Sequence, residues 1–226
     1  MSFIDAIEIQ TGGDPEFTVI WLHGLGADGR DFEPVVPYLG LDSARAVRFI
    51  FPNAPQIPVT CNGGYVMPAW YDIISLSSDS REIDEAGLAA SSDVIRSLIT
   101  TEASRGIPSE RVFIAGFSQG GAVAYLTGLS HGQPLAGILA LSTYMPRPAQ
   151  IKTAMTVAGK QTPLFVAHGL YDEVVSLGLG EIARDTLESM GCRFEWHTYP
   201  MGHEVCVPEI QAIGEWLNRR MAVLAG

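Results

Sequence analysis

Seven runs of apolar, mostly β-branched or aromatic residues recur along the chain, and they constrain the fold more than any other feature. They lie at residues 6–10, 18–23, 47–51, 111–116, 135–141, 164–168 and 193–199. Most are continuous (VIWL, VRFIF, VFIAG, AGILAL, LFVAH) rather than alternating. A strand with one wet face alternates, whereas a continuous run suits a strand covered on both faces, as in a parallel sheet. Helical periodicity fills the intervals. Ile83, Ala86, Ala90, Val94 and Leu98, widened by Ile95 and Ile99, predict a helix over 81–104. Ile210, Ile213, Leu217, Met221 and Leu224 predict another over 208–224, with Pro208 suited to its first turn. Shorter patterns cover 119–129 and 177–190. The alternation predicts an α/β fold, a mostly parallel, doubly wound sheet with helices on both faces. No repeat or linker divides the 226 residues, so one domain over 1–226 is expected.

Residues 52–80 break the pattern, with Pro, Gly, Trp and Tyr but no clear period. Structureless connections beyond about 12–15 residues are usually functional or disordered. Ile57, Tyr65, Met67, Trp70, Tyr71, Ile73, Ile74 and Leu76 make this one too apolar for disorder. It is expected to be an ordered flap.

Charge and cysteines exclude several classes. Lys+Arg number 14 against 25 Asp+Glu, for a net charge of −11. The longest basic cluster is the pair Arg219-Arg220, so nucleic acid is not an expected partner. Anionic membrane surfaces repel such a chain, and no stretch approaches 18 uninterrupted apolar residues, so no membrane insertion is expected. Cys61, Cys192 and Cys206 cannot all pair and lack C-x-x-C spacing, which fits a reducing compartment and neither a disulfide framework nor a zinc cluster. The start MSFIDAIEIQ lacks the basic and apolar regions of a signal peptide. A cytoplasmic protein is expected.

The strongest chemical signal is Gly116-Phe117-Ser118-Gln119-Gly120. As a bare pattern G-x-S-x-G is weak. Here it directly follows an apolar strand and opens a helix, where a strained nucleophile elbow belongs. A serine needs a base, itself held by an acid. Downstream, just past strand ends and in the order this arrangement requires, stand Asp172 in HGLYD and His203 in PMGHE. The other histidines fit worse: His131 follows a helix, His197 lies inside a strand, His168 precedes the acid and His23 precedes the nucleophile. His23-Gly24-Leu25-Gly26 suits a different task. Acyl transfer needs two backbone amides aimed at the developing oxyanion, and Leu25 and Gln119 are placed to supply them, with His23 fixing the loop. Gly24-Leu25-Gly26-Ala27-Asp28-Gly29 also matches the dinucleotide fingerprint G-x-G-x-x-G. The acid that fingerprint wants about 20 residues later is replaced by Pro52-Asn53, so no dinucleotide site is expected. His203-Glu204 lacks the second histidine of a zinc-protease motif, and no metal site is expected.

HGLGADGRDF, RFIFPNAP, NGGYVMPAWYDI, AGFSQGGAVA, LSTYMP, HGLYDEVV and PMGHEV together resemble the phospholipase/carboxylesterase family over about residues 4–220. The resemblance implies the α/β-hydrolase fold, a Ser118–Asp172–His203 triad and an oxyanion hole from the Leu25 and Gln119 amides, the positions the residues themselves indicate. It further implies hydrolysis of small carboxylic esters, lysophospholipids or acyl-protein thioesters, without cofactor, and for many members a homodimer. Tyr144 replaces a tryptophan of the eukaryotic thioesterases, and Ser176 a frequent proline; both bear on the pocket. Carboxylesterase action on short- to medium-chain acyl esters is the reading adopted. A ligand receptor on a hydrolase scaffold is the contrasting one, and burst release of nitrophenol separates them. Residues 142–163 carry Pro146, Pro148 and Gly159, leaving little room for a large cap. An open acyl groove walled by Trp70, Tyr71 and Ile74 of the flap, with Tyr144 and Met145, is therefore expected.

Overall fold

The apolar runs become one seven-stranded sheet in the computed structural model, which describes residues 4–77 and 81–226. Strands β1 (Ala6–Gln10), β2 (Phe17–Leu22) and β3 (Val47–Pro52) come first. The flap then carries β4 (Gln56–Val59), β5 (Tyr65–Pro68) and β6 (Ile73–Leu76), followed by β7 (Arg81–Ile83). The rest alternates: α1 (Glu85–Ser104), β8 (Val112–Phe117), α2 (Gln119–Leu129) and β9 (Gly137–Leu141). Next come α3 (Pro148–Ala154), α4 (Val157–Gln161), β10 (Leu164–Gly169), α5 (Leu177–Ser189), β11 (Phe194–Tyr199) and α6 (Val207–Ala225).

The sheet order is β1-β3-β2-β8-β9-β10-β11. Only β1 runs antiparallel to its neighbour. Alternate residues of the central strands face two cores. Ile20, Leu22, Ile114, Ile138 and Val166 pack with buried residues of α1, α2 and α5. Val19, Trp21, Phe113, Leu139 and Phe165 pack with Ile213, Trp216 and Leu217 of α6. Each fully buried side chain of this size contributes about 1.5–3 kcal/mol, which is why the continuous apolar runs were informative. Among the described residues no helix is long and apolar enough to cross a membrane.

One expectation changes and two gain detail. The helix expected from residue 81 starts at Glu85, because the Asp84 carboxylate accepts from the Ala86 amide and caps it, while Arg81–Ile83 pairs with β6. Ile83 sits in phase with the helical stripe, so periodicity overran the cap. The flap is not free of regular structure: β4 pairs with β5 and β6 with β7, both antiparallel. Its last three expected residues, 78–80, lie outside the described ones. Residues 142–163 do hold helices, α3 and α4. Pro148 is accommodated in the first turn of α3, where its missing N–H costs nothing. α4 lies against the end of α2 through the bond from Thr156 N to Leu129 O, so neither helix forms a large cap.

Candidate active site

Parallel strands deliver their C-terminal ends to one edge, and four loops meet there. Ser118 follows β8, His23 follows β2, Asp172 lies three residues past β10, and His203 four past β11. Ser118 has φ +54° and ψ −120°, a positive-φ backbone that costs a non-glycine residue about 1–3 kcal/mol. Its surroundings hold it there. Ser118 N donates to Leu141 O at 2.9 Å, and the Thr143 hydroxyl donates to Ser118 O at 2.6 Å. Two flanking glycines permit the turn by close approach. A Cβ on Gly116 would stand 2.3 Å from Gly120 O, and one on Gly120 would stand 2.6 Å from His23 O.

The structure brings Ser118, His203 and Asp172 into one hydrogen-bonded line. His203 Nε2 lies 2.9 Å from Ser118 Oγ, and Nδ1 lies 2.7 Å from Asp172 Oδ2. An ionised carboxylate only accepts, so Nδ1 carries the proton and Nε2 is left to accept from the serine hydroxyl. Phe117 packs its ring 4.7 Å from the His203 ring. Burial by itself would raise the Asp172 carboxyl. The hydrogen bond and charge of His203, with the amides of Val175 and Val174 on Oδ1 at 2.8 and 2.9 Å, outweigh it and hold the carboxyl below its ordinary range. The two loops are joined by Tyr171 N donating to Met201 O at 3.0 Å.

Gly24 sits beside Ser118: a Cβ there would be 3.5 Å from Ser118 Cβ. The Leu25 and Gln119 amides have no hydrogen-bond acceptor among the described residues. His23 ties its loop to the flap, with Nδ1 2.7 Å from Gly24 O and Nε2 accepting from Ala54 N at 3.0 Å. Desolvation lowers its pKa and keeps the ring neutral.

The acyl-groove expectation needs correction. Trp70, Tyr71, Tyr144 and Met145 all belong to the buried core, and Trp70 and Tyr71 expose only 2% and 0% of their surface. Trp70 Nε1 donates to His23 O at 2.9 Å, and the Tyr71 and Tyr144 hydroxyls are 2.7 Å apart. These side chains anchor the flap. Of the five expected wall residues only Ile74 is exposed, together with Leu76 on the same strand and Leu170, Tyr171 and Val174 after β10. Sequence reasoning also missed the side chain of Gln119. Its Oε1 accepts from Trp70 N at 2.8 Å and its Nε2 donates to Tyr71 O at 2.7 Å, clamping the flap backbone to the elbow. Thr143, Phe117 and His168 were missed as well. The polar residue after the serine was the one available signal for the clamp. Among the described residues no three His, Cys, Asp or Glu side chains cluster to hold a metal ion. The three cysteines are free, and Cys206 is the residue from which α6 starts.

Comparison with known proteins yields a consistent set. The family model described as Phospholipase/Carboxylesterase matches residues 5–221. Acyl-protein thioesterase 1 of Neurospora crassa is 41% identical, over 92% of this chain and 88% of its own. A protein of Oryza sativa subsp. japonica named as a probable carboxylesterase is 32% identical, over 90% of this chain and 77% of its own. The crystal structure of Arabidopsis thaliana SOBER1 superposes with a TM-score of 0.85 at 32% identity, covering 91% of this chain and 99% of that one.

Proposed function

This chain belongs to the phospholipase/carboxylesterase family of α/β-hydrolases, and from that premise we propose that it is a serine hydrolase cleaving carboxylic esters through a covalent acyl-enzyme. The observation that carries this reading is the Ser118–His203–Asp172 line, with contacts of 2.9 and 2.7 Å. His203 Nε2 takes the Ser118 proton as Oγ attacks the acyl carbon. The unpaired Leu25 and Gln119 amides receive the oxyanion, an interaction that strengthens as charge develops. Asp172 fixes the imidazole tautomer and stabilises its cation. His203 then protonates the departing alcohol, and water repeats the sequence on the acyl-enzyme. The exposed side chains of Ile74, Leu76 and Val174 are the apolar surface this reading offers to the acyl chain.

A second reading, thioester cleavage, is favoured by the acyl-protein thioesterase named among the relatives at 41% identity. The same groups serve both substrates, and matched oxygen esters and thioesters of equal chain length distinguish them. The first test is Ser118→Ala, expected to lower kcat on a nitrophenyl ester by about 10⁶ without unfolding the protein. Asp172→Asn is expected to lower it by about 10⁴. Folded Ser118→Ala protein that retains more than a few per cent of activity would overturn the assignment.

A further inference from the structure

His168 is the last residue but one of β10, four before Asp172 on the chain, and is 1% exposed. Its Nε2 lies 2.8 Å from Val175 O, a group that can only accept, so Nε2 carries the proton. The same nitrogen is 3.6 Å from Asp172 Oδ2. Val175, whose carbonyl His168 holds, donates its own amide to Asp172 Oδ1 at 2.8 Å. The ring therefore grips the residue that grips the carboxylate, with its N–H beside the oxygen that bonds His203.

The rest of the pocket fixes that orientation. Gly180 of α5 comes so close that a Cβ would stand 2.4 Å from His168 Nδ1. Trp196 of β11 stacks at 6.4 Å, with Arg184 of α5 over the Trp196 ring at 5.4 Å. The titratable groups felt by the ring are Asp172 in its own loop, His203 from the loop after β11 and Glu181 from α5. Desolvation outweighs the Val175 and Asp172 contributions and keeps the ring neutral, so His168 acts as an oriented dipole rather than a second cation.

We propose that His168 is a positioning residue for the hydrolytic reaction: by holding Val175 O and lying beside Asp172 Oδ2, it fixes the turn from Asp172 to Val175, and through the carboxylate the orientation of His203. This rests on the serine-hydrolase reading above. A buried histidine could instead be core filler, and the two roles rank substitutions oppositely. A filler role favours His168→Leu, which is apolar, over His168→Gln, which buries an extra polar group. A positioning role favours His168→Gln, whose Nε2 can still donate to Val175 O.

The experiment measures kcat and KM on a nitrophenyl ester, with thermal midpoints, for wild type, His168→Leu, His168→Gln, Gly180→Ala and Ser118→Ala. We expect His168→Leu to lower kcat on the order of 10- to 100-fold, the scale of a small misplacement, with KM within about twofold. His168→Gln is expected to recover most of that loss. Gly180→Ala pushes the ring from behind and is expected to lower kcat at unchanged KM, so it carries the test should His168→Leu fail to fold. Folded His168→Leu with kcat within about twofold of wild type, or outperforming His168→Gln, would overturn the proposal. Activity surviving in Ser118→Ala would instead sink the underlying reading, whatever the His168 variants do.

Discussion

Glu209 offers a quantitative test of how this fold treats a buried charge close in sequence to the loop that carries His203. It is the third residue of α6, six after His203, and it is fully buried. Its carboxyl oxygens have no side-chain hydrogen-bond partner among the described residues, and the backbone of Cys206, where α6 starts, is the one group that eases their burial. Desolvation raises its pKa from 4.5 to about 8, opposed only by the nearby Cys206 backbone. At about 1.4 kcal/mol per pH unit, that rise makes ionisation cost about 5 kcal/mol more in the folded chain than in the unfolded one. A carboxyl raised on folding contributes stability that is complete below pH 4.5 and is lost as pH climbs through about 8. Glu209→Gln copies the protonated form at every pH. Urea unfolding at pH 5, 7 and 9 should therefore give variant and wild type within about 1 kcal/mol at pH 5. By pH 9 the variant should lead by about 5 kcal/mol, a large share of an ordinary 5–15 kcal/mol stability. Titrations common to both chains cancel in the comparison. A gap that is constant across pH, or a variant less stable at pH 9, would refute the argument.

Gln119→Leu strands Trp70 N and Tyr71 O, at about 1–3 kcal/mol for each unsatisfied group; a lowered thermal midpoint together with a lowered kcat is expected. Tyr71→Phe leaves the Tyr144 hydroxyl buried alone and should cost about 1–3 kcal/mol, while adding Tyr144→Phe should restore part of it in a double-mutant cycle. Ile74→Ser should reduce activity on octanoyl esters more than on acetyl esters, by at most about 0.8 kcal/mol per methylene held; equal losses would move the chain elsewhere. Activity against ester concentration should show no jump at the micellar limit, because the flap is pinned rather than hinged.

The sheet was legible because both of its faces are buried: continuous apolar runs such as Val112–Phe117 have no other stable use in a chain of this composition. Ser118, Asp172 and His203 were legible because parallel strands send all their C-terminal ends to one edge, so chain order and strand ends locate a site without knowledge of contacts. Chain order says nothing about side chains that bond across loops. His168 stood in a recognised motif yet read only as the residue before the acid. Its partners depend on the 169–176 loop folding back, which no periodicity encodes.

The flap marks the sharper boundary. Its aromatics were visible in the sequence, but a buried tryptophan that walls a groove and one that anchors a strap have the same composition. Partners decide between them, and here the partners are distant in sequence. Trp70 reaches His23 O and Gln119 Oε1, Tyr71 O receives Gln119 Nε2, Ala54 N meets His23 Nε2, and Gly26 N meets Pro68 O. At about 1 kcal/mol net for each such bond, lifting the flap would forfeit about 5 kcal/mol before any apolar surface is exposed. That approaches the whole stability of a small domain. A segment so fastened does not behave as a lid. It holds His23 and Gln119 from above as the sheet holds them from below, and the Leu25 and Gln119 amides keep their direction because both layers are fixed.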